Sequence, residues 1–316
     1  MKRFVLAVAA LAALGVSLTS ANAKNDAAGR KICHRTASAS NPYRLLTVSA
    51  KALRAHTNHP ADIIPAPRAG CPKTLLATTG GTAFNITMTG DVESPAGDPV
   101  ATGTATVRLR AGQGQVCYKV AAANLGGVAV AMHIHKGAAG SAGPVVIPLA
   151  TPSAEGKAAG CAGVSRALVA AILASPAGYY LNVHTAAFPA GAIRGQLTGT
   201  SAASIGTVIS LDLKGTSEPN ASGSAVLRFL SGQVCYRLVA RNVTLPTTAA
   251  HIHKGAAGTN GPVVVPFNAP GADGTSTGCA TADAALISDI LANRAGYYVN
   301  VHTKEHPAGA IRSQLA

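Results

Sequence analysis

Alternation of apolar and polar residues with a period of two dominates this chain and predicts β-strands. In the first half of the chain the pattern predicts strands at Phe84–Gly90, Ala105–Leu109, Val116–Ala121, Ala129–His135, Val145–Leu149, Tyr179–Thr185 and Ala192–Leu197. These strands are short and are separated by turns rich in glycine and proline. We therefore expect an antiparallel β-sandwich, with an open barrel as the alternative.

One stretch has helical spacing instead. Its apolar face is formed by four residues, Leu168, Val169, Ile172 and Leu173. Ser165 precedes them as a suitable N-cap, and Pro176 follows as a terminator. A matching apolar stretch in the second half predicts another short helix, which we expect Thr281 to cap.

The whole pattern occurs twice along the chain. HIHKGAAG begins at His133 and again at His251, which places the copies 118 residues apart. GYYLNVHT at 178–185 returns as GYYVNVHT at 296–303, and PAGAIRGQL at 189–197 returns as PAGAIRSQL at 307–315. A repeat of this length is a whole domain rather than an element of a solenoid. We predict one domain at 74–200 and another at 201–316, each with one short helix.

The first 23 residues have the pattern of a secretory signal peptide. Lys2 and Arg3 precede an apolar run over residues 4–16, and Ala21-Asn22-Ala23 has the small-x-small pattern of a cleavage site. An uncleaved anchor is the alternative, but the run is shorter than the roughly 20 residues that span a bilayer. We predict an exported protein, periplasmic or secreted, with no transmembrane segment after cleavage.

The chain contains six cysteines, and in an exported protein these predict three disulfides. Each repeat contains two of the cysteines, and the segment before the repeats contains the other two. The economical pairing is therefore Cys117–Cys161, Cys235–Cys279 and Cys33–Cys71.

A small basic Cys/His module is predicted at 24–73. This segment contains nine Lys and Arg against two Asp, a large part of the net charge of +14. An anionic cell surface or extracellular material is a suitable partner, and a solvated surface without a partner is the alternative. We do not expect nucleic acid as a partner in an exported protein, because the basic residues lack the repeated aromatic interleaving typical of single-strand binding. His34, His56 and His59 could form a zinc knuckle, but an oxidising compartment favours the Cys33–Cys71 disulfide.

Each repeat carries a set of three histidines, which we call a triad. On a strand, alternate side chains share a face, so His133 and His135 lie together, and His184 stands on a second strand. The second triad is His251, His253 and His302. Three imidazoles can bind copper or zinc and leave a position open. The alternatives are structural hydrogen bonding and direct recognition of a ligand. His306 is a candidate fourth ligand in the second copy, where the first copy has Phe188.

Two further polar positions recur beside the triads. Asn182 and Asn300 share the face of the third histidine, and Arg194 and Arg312 stand on the following strand. They are candidate anion or polar contacts, although a strand arginine that bonds backbone groups is the more common arrangement. The repeats share no Ser-His-Asp pattern, paired acids or phosphate-binding loop, so we expect no enzyme and no certain cofactor.

HIHKGAAG with GPVV after it, GYY-x-NVHT and PAGAIRGQL together resemble the CHRD domain, a module named for chordin and also found in exported bacterial proteins. The resemblance covers about 74–200 and 201–316 and implies a secreted β-sandwich-like domain. The role of chordin in growth-factor signalling is not expected for this chain, because the cysteine-rich modules of chordin are absent from this sequence. The His-x-His strand is also similar, much more weakly, to the copper ligands of Cu/Zn superoxide dismutase.

The sequence thus favours an exported, non-enzymatic binding or structural protein. The alternative is a copper- or zinc-binding metalloprotein for metal buffering or redox defence. Superoxide dismutase activity is a third hypothesis, which the missing bridging histidine and zinc-binding aspartate disfavour.

Overall fold

The computed structural model describes residues 29–36, 38, 40–57, 62–68, 70–73, 81–198 and 205–316. The predicted signal peptide at 1–23 lies outside these residues. Within them the protein is mainly β, with two eight-stranded antiparallel sheets and a smaller N-terminal hairpin. Within the same residues, no helix combines the length and the apolarity needed to cross a membrane.

The first large sheet follows the strand pattern of the sequence closely. Its strands are β3 (Thr82–Thr89), β4 (Thr102–Arg110), β5 (Gln115–Ala123), β6 (Ala129–Lys136), β7 (Val145–Pro148), β8 (Lys157–Gly163), β9 (Tyr179–Thr185) and β10 (Ile193–Gln196). Their order across the sheet is β7-β6-β9-β10-β3-β4-β5-β8. All seven predicted strands are confirmed, and β8 is an eighth that the alternation did not indicate.

The second large sheet repeats this arrangement. Its strands are β11 (Thr207–Gly215), β12 (Ser222–Leu230), β13 (Gln233–Arg241), β14 (Ala249–Lys254), β15 (Val263–Phe267), β16 (Thr275–Thr281), β17 (Tyr297–His302) and β18 (Ile311–Gln314). The order β15-β14-β17-β18-β11-β12-β13-β16 matches the first sheet strand for strand.

Each sheet folds over on itself around one apolar core. Ile147 of β7 and Ala162 of β8 belong to opposite edges of the first sheet, yet both are buried in the same cluster. Leu181 and Val183 enter this cluster from β9. The strand that carries His184 therefore points its alternate residues into the core, as the alternation predicts. This leaves the histidine face of the sheet on the opposite side.

Three α-helices are present among the described residues: α1 (Ala50–Thr57), α2 (Arg166–Ala174) and α3 (Ala284–Ala292). The Ser165 hydroxyl accepts a hydrogen bond from the amide of Leu168, which confirms the predicted cap of α2. The predicted cap of α3 is wrong. Asp283, not Thr281, caps this helix, because its carboxylate accepts from two amides while Thr281 is still the last residue of β16.

The three predicted disulfides are all present: Cys33–Cys71, Cys117–Cys161 and Cys235–Cys279. The two in the large sheets each join residues that lie directly opposite one another on paired strands, β5 with β8 and β13 with β16. They therefore fasten the edge strands β8 and β16 to their neighbours.

The N-terminal module packs against the edge of the first sheet. It consists of the hairpin β1 (Arg30–Arg35) and β2 (Tyr43–Val48), followed by α1. The amide of Ile64 donates to the carbonyl of Cys161 on β8, at 2.7 Å. Ile63 and Pro67 lie against Gly163 at the end of the same strand. The module thus covers part of an edge strand that would otherwise expose unpaired backbone groups.

Two arginines of the second domain bond to aspartates of the first. Arg228 is fully buried, and its Nη1 lies 2.9 Å from Oδ1 of Asp91. Arg237 Nη1 lies 2.7 Å from Oδ2 of Asp98, whose side chain is also buried. Both contacts involve the loop between β3 and β4, so this loop joins the two large sheets.

Candidate metal centres

The three histidines of each triad converge on one point. In the first domain the ring centroids of His133 and His135 are 5.5 Å apart, those of His133 and His184 5.2 Å, and those of His135 and His184 5.7 Å. The pairing of β6 with β9 sets Ala131 opposite His184 and His133 opposite Asn182. One nitrogen from each ring lies within 4.8 Å of the other two.

The second triad reproduces this geometry. The corresponding centroid separations among His251, His253 and His302 are 5.4, 5.1 and 5.6 Å. These three residues also form a cluster with one nitrogen each within 4.8 Å. The pairing of β14 with β17 again sets the asparagine, Asn300, opposite the first histidine of the strand pair.

Backbone carbonyls fix the tautomer of two rings in each triad. His135 Nδ1 lies 2.8 Å from the carbonyl oxygen of Gly143, and His184 Nδ1 lies 3.0 Å from that of Pro189. A carbonyl can only accept, so Nδ1 must carry the proton in both rings. Each neutral imidazole then has its lone pair on Nε2. Hydrogen bonds of this kind orient the histidine ligands of metal sites.

The same two bonds exist in the second domain. His253 Nδ1 lies 2.9 Å from the carbonyl of Gly261, and His302 Nδ1 lies 2.9 Å from that of Pro307. The Nε2 atoms of His135 and His253 are buried and have no hydrogen-bond partner among the described residues. Each triad therefore has an unpaired basic nitrogen within the cluster.

In each triad, one pair of rings lies at a separation suited to a metal ion. His133 Nδ1 lies 3.3 Å from His184 Nε2, and the equivalent atoms of His251 and His302 are also 3.3 Å apart. Two nitrogens bound at 2.0–2.1 Å in a tetrahedral site are separated by about 3.3–3.4 Å. Without an ion, the same distance allows His133 to donate a hydrogen bond to His184.

Burial and mutual repulsion favour the neutral form of His133 and His184 and of their counterparts His251 and His302. Desolvation, followed by the charges of His184 and His135, lowers the pKa of His133 to about 4. The same causes lower the pKa of His251 to about 4. Desolvation also lowers the pKa of His184 and of His302. Neutral imidazole is the form that binds metal, so the lowered pKa values of these four rings favour metal binding near neutral pH.

A tyrosine and an arginine support one side of each triad. The Tyr180 ring stacks on His135, with centroids 4.9 Å apart, and its hydroxyl accepts from the amide of Gly143 at 3.2 Å. The guanidinium of Arg194 lies over the Tyr180 ring, 4.7 Å from its centroid. It also donates to the carbonyls of Val92 and Ser141. Arg194 thus connects the loops that contain Val92 and Ser141 to Tyr180, the ring that stacks on His135.

The second domain has the same stack of histidine, tyrosine and arginine, but its arginine is more exposed to solvent. Arg312 lies 3.7 Å from the centroid of Tyr298, which stacks on His253. It donates to the carbonyl of Thr259 at 3.3 Å. Arg194 is buried and lies near a buried acid, Glu93, whereas Arg312 is half-buried. Burial raises the pKa of Glu93 to about 7 despite the attraction of Arg194.

Asn182 and Asn300 are buried next to the triads. The amide group of Asn300 donates to the carbonyl of Ala308 at 3.1 Å and packs against Gly309. It therefore holds the loop whose Pro307 carbonyl orients His302. The Oδ1 atoms of both asparagines have no partner among the described residues. His306 is not part of the second cluster, because its ring lies beside Glu218, with Nε2 3.7 Å from Oε1.

A third cluster lies in the N-terminal module. His34 and His56 come together, but with Asp62, which the sequence analysis did not single out. His59 lies outside the described residues. The sequence pattern does not predict the roles of the Gly143 and Pro189 carbonyls or of Tyr180, because backbone acceptors and stacking rings have no ligand-type side chain.

These observations define the class of the protein: a tandem, disulfide-stapled β protein with a three-histidine cluster on the outer face of each large sheet. The family model of the CHRD domain matches residues 84–197 and again 210–315. The chain therefore belongs to the CHRD-domain family, with two tandem copies. No curated protein matches it.

Proposed function

We propose that each CHRD domain binds one copper or zinc ion through its three histidines, and that the chain is an exported metal-binding protein rather than an enzyme. The observation that carries this proposal is the pair of hydrogen bonds to the carbonyls of Gly143 and Pro189, which leaves the Nε2 lone pairs of His135 and His184 available to an ion. Three imidazole ligands leave the fourth position of a tetrahedral ion for water or a small ligand.

Purely structural hydrogen bonding explains the triads less well. It accounts for the Nδ1 atoms of His135 and His184, which bond to loop carbonyls. It leaves His135 Nε2 buried without a partner in the part of the chain that the structure describes, and an unsatisfied buried polar group costs about 1–3 kcal/mol. A bound ion removes this cost in both domains. Retention of the arrangement in two copies with different loops supports a shared ligand.

Export is the second part of the proposal. The signal-peptide pattern at 1–23 and three disulfides suit an oxidising compartment such as the periplasm or the extracellular space. Copper or zinc buffering outside the cytoplasm fits this setting. Anionic material at the cell surface is the partner that the basic N-terminal module would contact.

The test is calorimetric titration of Cu²⁺ and Zn²⁺ into metal-free protein comprising residues 24–316. We expect tight binding at both triads. His133→Ala should remove one site and His251→Ala the other, and the double variant should lose both. Removing the bound metal from the wild type with a chelator should lower the melting temperature, because a ligand that binds only the folded state stabilises that state.

His306→Ala is the matched control, since this histidine precedes Pro307, whose carbonyl orients His302, but does not belong to the second triad. It should leave the binding isotherm unchanged. Wild-type affinity no tighter than that of an unfolded histidine-rich peptide would falsify the proposal. Equal binding by the wild type and the folded double variant would also contradict it.

A further inference from the structure

The fold of the N-terminal module brings His34, His56 and Asp62 together from three separate segments. His34 stands on β1, and His56 stands near the end of α1. Cys33 and Ile63 exchange two backbone hydrogen bonds of 3.0 Å, which sets residue 62 next to residue 34. The Cys33–Cys71 disulfide closes the same segment. The cluster is therefore held by backbone pairing and a covalent bond.

The carboxylate is oriented toward the two imidazoles. Asp62 Oδ1 accepts from the amide of Arg35 at 2.8 Å. Its other oxygen, Oδ2, lies 3.0 Å from His34 Nδ1 and 2.7 Å from His56 Nδ1. The two rings are 5.0 Å apart and nearly perpendicular, with an interplanar angle of 84°. Two ring nitrogens and one carboxylate oxygen thus converge, with all three within 4.8 Å of one another.

The three side chains of this cluster differ in how far they are exposed to solvent. The Asp62 side chain is fully buried, while those of His56 and His34 are 17% and 31% exposed. The acid thus lies at the base and the imidazoles at the rim, so an ion can approach from solvent. An ionised carboxylate in such a position needs compensating positive charge or hydrogen bonds. Without an ion, the Arg35 amide and the two imidazoles supply hydrogen bonds to Asp62. A divalent cation bound by the two rings and the carboxylate would supply the charge in place of the imidazole hydrogen bonds.

We infer that His34, His56 and Asp62 form a third metal site, which takes a divalent first-row ion such as Zn²⁺. The inference does not depend on metal binding by the triads. Two imidazoles and one carboxylate are a common ligand set for zinc and for iron(II). The set is harder than three imidazoles, because carboxylate oxygen replaces one nitrogen. The chain therefore has two kinds of site, two with three nitrogens and one with two nitrogens and an oxygen.

Stoichiometry tests the third site. Metal-free protein comprising residues 24–316 is equilibrated with Zn²⁺ or Co²⁺, desalted, and analysed for bound metal. We expect three ions per chain in the wild type and two in Asp62→Asn, which keeps the size of the side chain. Lys51→Ala, an exposed change on α1, is the matched control and should retain three ions.

The triads and the third site are separated by one more variant. His133→Ala combined with His251→Ala should retain one ion, and this ion should be lost when Asp62→Asn is added. Two ions in the wild type, both lost in the His133→Ala, His251→Ala variant, would overturn the inference and leave the triad proposal intact. A single ion in the wild type that is lost only in Asp62→Asn would support the inference and contradict the triad proposal.

A measurement on the wild type alone covers the case in which Asp62→Asn does not fold. Diethyl pyrocarbonate modifies accessible imidazoles, and both rings of this cluster are partly exposed. Saturating Zn²⁺ should protect His34 and His56 from modification, as read by peptide mass spectrometry. If Asp62 only accepts hydrogen bonds from the two rings, Zn²⁺ will leave their modification rates unchanged, and the inference fails.

Discussion

The two CHRD domains differ in their surroundings far more than in their triads. The ring separations are 5.5, 5.2 and 5.7 Å in the first domain and 5.4, 5.1 and 5.6 Å in the second. In the loop after the third histidine, Phe188 of the first domain is replaced by His306 in the second. The buried pair of Glu93 and Arg194 has no buried counterpart among the described residues, where Arg312 is half-buried. The comparison indicates that the position of the three imidazoles is the constrained feature, whereas the rim of each site is free to vary.

The loop between the first two strands of each domain shows the opposite behaviour. In the first domain it contains Asp91 and Asp98, which contact Arg228 and Arg237 of the second. In the second domain the corresponding loop, residues 216–221, is shorter and has no such contact among the described residues. This loop therefore joins the domains in one copy only. The two copies differ in this loop, whereas they agree in the arrangement of their histidines.

The largest expected effect concerns this loop. Asp98 is fully buried and accepts from the amides of Val100, Ala101 and Gly126 as well as from Arg237. Asp98→Ala should lower the free energy of unfolding by about 3–5 kcal/mol, because it leaves these donors and one charge uncompensated. Urea denaturation of residues 24–316 measures this.

Asp212→Ala is the control for Asp98→Ala, since Asp212 is exposed on β11. It should change the unfolding free energy by less than about 0.5 kcal/mol. A loss for Asp98→Ala no larger than this control would show that the loop does not join the domains as the structure describes.

The next effect concerns the carbonyls that orient the histidines. A Cβ at Gly143 would collide with the carbonyl of Lys136, and a Cβ at Gly261 would collide with that of Lys254. Gly143→Ala must therefore displace the acceptor of His135 without removing any ligand. We expect a 10–100-fold loss of affinity at the first triad, as is typical when a partner that orients a ligand is lost.

Gly261→Ala should have the same effect at the second triad, and each change should leave the other domain unaffected. Calorimetric titration of Cu²⁺ resolves the two sites when one is weakened. Ala139→Ser, an exposed change in the same loop as Gly143, is the control and should have no effect. If both glycine variants bind as the wild type does, the carbonyls do not tune the sites.

Much of this architecture could be predicted from the sequence, because alternation reports directly on which side chains share a sheet face. It placed His133, His135 and His184 on one face and Leu181 and Val183 in the core. The strand β8 escaped detection, since KAAGCAG contains no β-branched residue and no polar alternation. Its place in the sheet comes from pairing with β5, including the Cys117–Cys161 disulfide.

Asp62 could not be predicted as a partner of His34 for a related reason. The two residues are 28 positions apart, and they meet through the pairing of Cys33 with Ile63, outside the regular strands. No periodicity extends across residues 58–61. The sequence predicts Thr281 as the cap of α3, because this residue precedes the apolar positions of the helix. The chain remains in β16 up to that residue, and Asp283 is the first side chain free to cap.

The smallest expected effect compares these two helix caps. The Ser165 hydroxyl accepts from one amide, whereas the Asp283 carboxylate accepts from the amides of Ala285 and Leu286 and adds a negative charge at the helix N-terminus. Ser165→Ala should cost about 1 kcal/mol of unfolding free energy, within a general range of about 0.5–2 kcal/mol, and Asp283→Ala should cost more. Ser165→Asp should stabilise the first domain by about 0.3–1 kcal/mol, since it adds the charge that α2 lacks. Thermal and urea unfolding of the three variants measure these differences. Because neither cap contacts a triad, metal affinity should stay constant throughout, and a change in affinity would mean that the helices, and not the sheet alone, position the histidines.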